Sequence, residues 1–163
     1  MTINKLSLEE REVPFWLGII VIIIDQLVKG YITASMHLGQ SIPVIKDIFY
    51  ITYVLNPGAA FGIFEHQRLF FIVVALVLLG VAVYFRKRLR QENILFQYGV
   101  GLMMGGAVGN LFDRLQNGLV VDFFDFRFWP VFNIADVAIC VGAALIMFDI
   151  CFRRQENDTD IQG

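Results

Sequence analysis

Four apolar runs govern what this chain can fold into. They extend from about Pro14 to Met36, Leu69 to Phe85, Ile94 to Phe112 and Val131 to Phe152. A helix needs about 20 mainly apolar residues to cross a bilayer, and these runs are long enough, the second being short but unbroken. Composition points the same way. The chain is 57% hydrophobic with a mean hydropathy of +0.65, too apolar for the polar surface of a small soluble domain. Its net charge of −2 gives no basic field for nucleic acid.

Charge placement predicts an orientation. "RKRLR" (86–90) joins the second and third runs, and Arg153 and Arg154 follow the fourth. By the positive-inside rule both are cytoplasmic, which puts both termini inside and regions 37–68 and 113–130 outside. Asp25 and Lys29 interrupt the first run and no A-x-A site follows, so it reads as a retained span rather than a cleaved leader. Residues 1–13 are expected as a cytoplasmic segment and 153–163 as a flexible polar tail, around one integral-membrane domain. "IPVIKDIFYITYVL" is rich in β-branched and aromatic residues and reads as strand at the outer interface. Cys140 and Cys151 lie about 16 Å apart along a helix, too far for a mutual disulfide. Both read as small packing residues.

Polar residues in such a chain need reasons, because a charge at mid-bilayer costs about 2.5–3.5 kcal/mol on insertion scales. Asp25 and Lys29 are four apart, an intrahelical ion pair that also suits a site. Gly101, Gly105 and Gly109 make two overlapping G-x-x-x-G steps for close helix packing. Gly106, Asn110 and Arg114 share one face, so an amide and a guanidinium point together towards the outer end. In "FNIAD", Asn133 can cap the fourth helix with Asp136 at N3. Asp122 and Asp125, in "VVDFFDF", face opposite ways in an extended strand, so at most one points inward.

Peptide-bond hydrolysis has few solutions open to these residues. No G-x-S-x-G or H-E-x-x-H occurs, His37 and His66 are the only histidines, and both cysteines lie deep in the last run. Paired aspartates remain: two close carboxylates share a proton, one activating water while the other polarises the carbonyl. Asp122 and Asp136 can form that pair, and this reasoning leaves Asp113 and Asp125 open as partners. A small transporter with relay acids, or a silent packing protein, is the competing class. The first would spread its acids across the membrane instead of gathering Asp122 and Asp136 at one face, and the second gives Asn110, Arg114 and two acids no reason to converge.

Five stretches in order carry a resemblance: "DQLVK" (25–29), "NPGAAFGIF" (56–64), "GGAVGNLFDR" (105–114), "VVDFFDF" (120–126) and "FNIADVAI" (132–139). Over about residues 14–152 the chain resembles the bacterial lipoprotein signal peptidase (signal peptidase II) family. The resemblance implies an all-α membrane fold of four transmembrane helices with a small extracytoplasmic β-cradle. It implies an intramembrane aspartic protease of the cytoplasmic (inner) membrane, active near the outer face, that cleaves diacylglyceryl-prolipoproteins before the lipidated cysteine. Carried over by motif, Asp122 and Asp136 are the dyad. Asp25, Lys29, Asn56, Gly58, Gly106, Asn110, Arg114, Asn133 and Ala135 support it, while Asp113 and Asp125 are structural. Inhibition by cyclic peptides of the globomycin type and action as a monomer are expected, with membrane lipid as surroundings. No metal or organic cofactor is implied.

Overall fold

The computed structural model describes residues 14–58 and 67–162 of the chain. The expectations for segment 1–13 and for residues 59–64 of "NPGAAFGIF" fall on residues outside that range. The elements run α1 (Phe15–Ser35), β1 (Ser41–Ile45), β2 (Phe49–Asn56), α2 (Arg68–Tyr84), α3 (Arg86–Leu89), α4 (Ile94–Asn117), β3 (Val120–Asp125) and α5 (Ile134–Gln162).

Among the described residues, three helices are long and apolar enough to cross a membrane: Phe15–Ser35, Ile94–Asn117 and the Ile134–Phe152 part of α5. The second expected span is α2, an apolar helix of 17 residues, at the lower limit for spanning. Two helices run further at their C-terminal ends than in the sequence reading. α4 continues past Phe112 to Asn117 and stops where Gly118 adopts φ 78°, a left-handed conformation that glycine enters without penalty. α5 continues to Gln162 through the polar tail, which has no glycine or proline before Gly163 to break it.

α4 is the central helix, and its glycines set its neighbours. A Cβ on Gly105 would lie 2.7 Å from the Gly18 Cα of α1, and one on Gly101 would lie 2.7 Å from the Pro14 carbonyl oxygen. On the side facing α5, Gly99 and Gly142 meet reciprocally, and a Cβ on Gly106 would collide with the Ala135 carbonyl oxygen. Backbones this close gain dispersion contacts, which replace the hydrophobic drive that is absent between helices in lipid.

The region expected as one strand is a hairpin. β1 and β2 pair antiparallel with Ser41 opposite Thr52, and the chain reverses through Asp47 at φ 63°. β3 pairs antiparallel with β2, with Val54 opposite Asp122 and Tyr50 opposite Asp125, giving the order β1-β2-β3. Val121 and Phe123 pack on Ile32 and Met36 at the end of α1. The sheet is thereby docked on the bundle, and β3 is buried along nearly its whole length.

Cys140 and Cys151 are both exposed on α5 instead of packed in the bundle, because the close face of α5 is already taken by Gly142, Ala135 and Ala138. Asp149 is buried.

Candidate active site

β3 and the start of α5 bring two carboxylates to one cavity. Even-numbered β3 residues Val120 and Asp122 face the cavity while Val121 and Phe123 turn into the apolar cluster. Asp136 reaches the same cavity because Asn133 caps α5. The Asn133 Oδ1 accepts from the Asp136 N–H at 2.9 Å, and Asp136 Oδ2 accepts from the Asn133 N–H at 3.2 Å, the reciprocal pair expected of this spacing. The cavity has a volume of about 600 Å³, and Asn56, Gly58, Asn110 and Arg114 also line it.

Every oxygen of the two carboxylates has a donor. Asp122 accepts from Asn133 Nδ2 at 2.6 Å and from Asn56 Nδ2 at 2.8 Å. Asn56 is held in turn, since its Oδ1 accepts from the Gly58 N–H at 2.9 Å. Asp136 Oδ1 accepts from Asn110 Nδ2 at 2.7 Å. Asn133, with no exposed surface, also sends its amide towards Asn110 Oδ1 at 3.1 Å and the Val121 carbonyl at 3.3 Å. One asparagine therefore touches both acids.

Burial pushes the Asp122 carboxyl up from its ordinary value of 3.8 to about 7, and the neighbouring Asp136 charge adds to the rise. The bonds from Asn56 and Asn133 and the charge of Lys29 act the other way. A carboxyl poised near neutrality holds or releases a proton at small cost, as general acid–base chemistry requires.

Behind the cavity lies a second layer. The Lys29 ammonium sits 2.8 Å from Asp25, 2.8 Å from Asp113 and 3.0 Å from Asn110 Oδ1. Asp25 accepts from the Ala135 N–H at 2.9 Å, binding α1 to the first turn of α5. Gly106 lets that turn approach α4. Thus Asn56, Gly58, Asn110, Arg114, Asp122 and Asp136 line the cavity, whereas Asp25, Lys29, Gly106, Asn133 and Ala135 stand behind it. Arg114 bonds neither acid. Its guanidinium lies 4.6 Å from the centre of the Phe71 ring and donates to the Gly58 carbonyl at 3.3 Å.

The other two acids sit off the cavity. Asp113 accepts from Gln26 Nε2 at 2.9 Å and from the Val121 N–H at 3.2 Å, so it ties α1, α4 and β3 together. Asp125 accepts from Thr52 Oγ1 at 2.6 Å and the Arg127 N–H at 2.8 Å. Sequence reasoning assigned no role to Gln26, although it lies inside "DQLVK", or to Thr52, and it passed over Gln97. Gln97 is wholly buried and donates to the Glu92 carbonyl at 2.8 Å. An uncharged amide in an apolar run is the one signal that marked it.

Residues 17–152 match the family described as Signal peptidase (SPase) II. The chain is 48% identical over 143 residues to a protein named lipoprotein signal peptidase from Pelotomaculum thermopropionicum, covering 86% of this chain and 90% of that one. It is 46% identical over 140 residues to a protein of the same name from Halothermothrix orenii, covering 86% and 96%. Its fold is similar to a solved bacterial membrane enzyme, with TM-score 0.82 and 34% identity over 86% of this chain and 88% of that one.

Proposed function

The chain belongs to the signal peptidase II family, and from that premise we propose that it is an aspartic endopeptidase with Asp122 and Asp136 as its dyad. Removal of signal peptides from prolipoproteins is the activity of the family. The finer reading is cleavage just before the lipidated cysteine of a diacylglyceryl-modified precursor. The enzyme would act as a monomer in the bacterial cytoplasmic membrane, with the cavity near its outer face and both termini inside. Membrane crossing by α2, as the fourth span, belongs to the same reading, as does inhibition by globomycin-type cyclic peptides.

The observation that carries it is Asn133, which bonds Asp122 through its side chain and Asp136 through its backbone, on one cavity. Such a pair retains one proton near neutrality. The ionised carboxylate takes a proton from water as its oxygen attacks the scissile carbonyl carbon. The protonated carboxyl gives its proton to the carbonyl oxygen, leaving a neutral gem-diol. The newly protonated acid then protonates the leaving nitrogen while the other removes a diol proton. The C–N bond breaks, and the pair again shares one proton. Asn56, Asn110 and Asn133 hold the carboxylates, and Arg114 with Gly58 shapes the cavity wall.

The test is processing of a lipid-modified precursor by Asp122→Asn, Asp136→Asn and Asp125→Asn. The first two should insert and fold without cleaving, and the third should keep most of its activity. Near-normal processing by either of the first two would sink the dyad.

A further inference from the structure

A second cavity, of about 340 Å³, lies beside the first between α2 on one side and α4 and α5 on the other. Leu78, Ala107 and Ile139 line both, so only those side chains separate the two. The lower cavity is lined by apolar residues alone, and at its far end stand Phe85, Leu89 and Phe96. From Ala107 to Phe96 along α4 it reaches about 16 Å away from the dyad.

We infer that this lower cavity takes one acyl chain of the lipid-modified substrate, and that Phe85, Leu89 and Phe96 end it. The inference rests on the reading above, in which the lipidated cysteine adjoins the scissile bond and the chain therefore starts inside the upper cavity. Shape selects hydrocarbon over peptide. A helical peptide about 10 Å across and 16 Å long fills roughly 1200 Å³, more than the space present, whereas a single alkyl chain is narrow enough. The lining also offers no hydrogen-bonding side chain to steer an extended peptide, whose N–H and C=O groups would be left without partners.

The selectivity has a physical limit. Lipid tails are as apolar as leucine, so moving an acyl chain from bilayer to protein gains no hydrophobic free energy. What it gains is closer contact with a fixed, shaped wall than mobile lipid tails provide. Chain length is then read by how far the chain fills the cavity before it meets the phenylalanines.

The experiment uses the full-length enzyme in detergent and precursor peptides of one sequence, carrying dioctanoyl, dipalmitoyl or diarachidoyl glyceryl on the cysteine. Val100→Trp obstructs the lower cavity only, and Phe96→Ala opens its end. Val100→Trp should lower kcat/KM for the dipalmitoyl peptide about tenfold and leave the dioctanoyl peptide within about twofold. Phe96→Ala should raise diarachidoyl cleavage relative to dipalmitoyl. Equal slowing of the dioctanoyl and dipalmitoyl peptides by Val100→Trp, or no slowing of either, overturns the inference, since a peptide segment or a bilayer lipid then occupies the space. Should Val100→Trp not fold, an unchanged diarachidoyl-to-dipalmitoyl ratio in Phe96→Ala overturns it. Failure of the unaltered enzyme to cleave any of the peptides is a different result, because it removes the peptidase reading itself.

Discussion

The Lys29 ammonium donates to Asn110 Oδ1 at 3.0 Å, and this fixes the amide that faces Asp136. An ammonium can only donate, so the atom towards Lys29 is the oxygen. The Asn110 NH2 therefore points at Asp136 Oδ1, 2.7 Å away. A cation outside the cavity thus orients a donor inside it.

Replacing Lys29 by Met removes that orientation and leaves Asp25 and Asp113 without their shared cation. Breaking a buried ion pair by deleting one partner costs about 3–5 kcal/mol. We expect a lower thermal midpoint in detergent and a loss of kcat of about tenfold, less than the 10²–10⁴-fold of losing an acid–base group itself. A Lys29→Met enzyme with an unaltered midpoint would show that the ion pair contributes nothing.

Gly106→Ala should act on Asp136 without touching it. The added methyl collides with the Ala135 carbonyl oxygen, and the first turn of α5 must retreat, taking Asp136 with it. Overpacking of this kind costs about 1–3 kcal/mol. The precursor assay should show a fall in kcat, whereas Gly30→Ala, where nothing lies within 4 Å, should serve as a silent control.

Asp122 predicts a pH dependence of stability. Its folded pKa of about 7 lies above the ordinary 3.8, so between those values the folded protein holds a proton that the unfolded chain has released. Its contribution to stability is full below about pH 3.8, declines as pH rises, and is gone above about 7. Thermal midpoints across that range should fall less steeply with pH for Asp122→Asn than for the unaltered enzyme. Identical slopes would show that Asp122 does not titrate there. Cleavage should decline above about pH 7 as the shared proton is lost.

Asp125→Ala should affect the sheet more than the chemistry. Thr52 and the Arg127 N–H would lose their acceptor, and leaving the buried Thr52 hydroxyl without it costs about 1–3 kcal/mol. Unfolding in denaturant should report that loss, while kcat of the folded fraction stays within about threefold, far from the 10²–10⁴-fold loss of an acid–base catalyst. Activity as low as that of Asp122→Asn would place Asp125 in the reaction.

The sequence by itself determined the local devices. Apolar runs fixed the helices, the glycine steps marked where α4 meets its neighbours, and the four-residue spacing of Asp25 and Lys29 gave their ion pair. The three-residue spacing of Asn133 and Asp136 gave the cap, and alternation separated Asp122 from Asp125. These depend on helix and strand periods, which are visible within a few residues. Tertiary structure alone decided how those devices meet. The Asn56 bond to Asp122 spans 66 positions and the Ala135 bond to Asp25 spans 110. Arg114, which shares a helix face with Asn110, turns to Phe71 and Gly58 instead of an acid. The hairpin within 41–56, the burial of Asp149 and the exposure of both cysteines also depend on which surfaces the packed helices leave open. Where a side chain can bond to several distant partners, the close approach of backbones at Gly105 and Gly106 selects among them, and no local pattern records that choice.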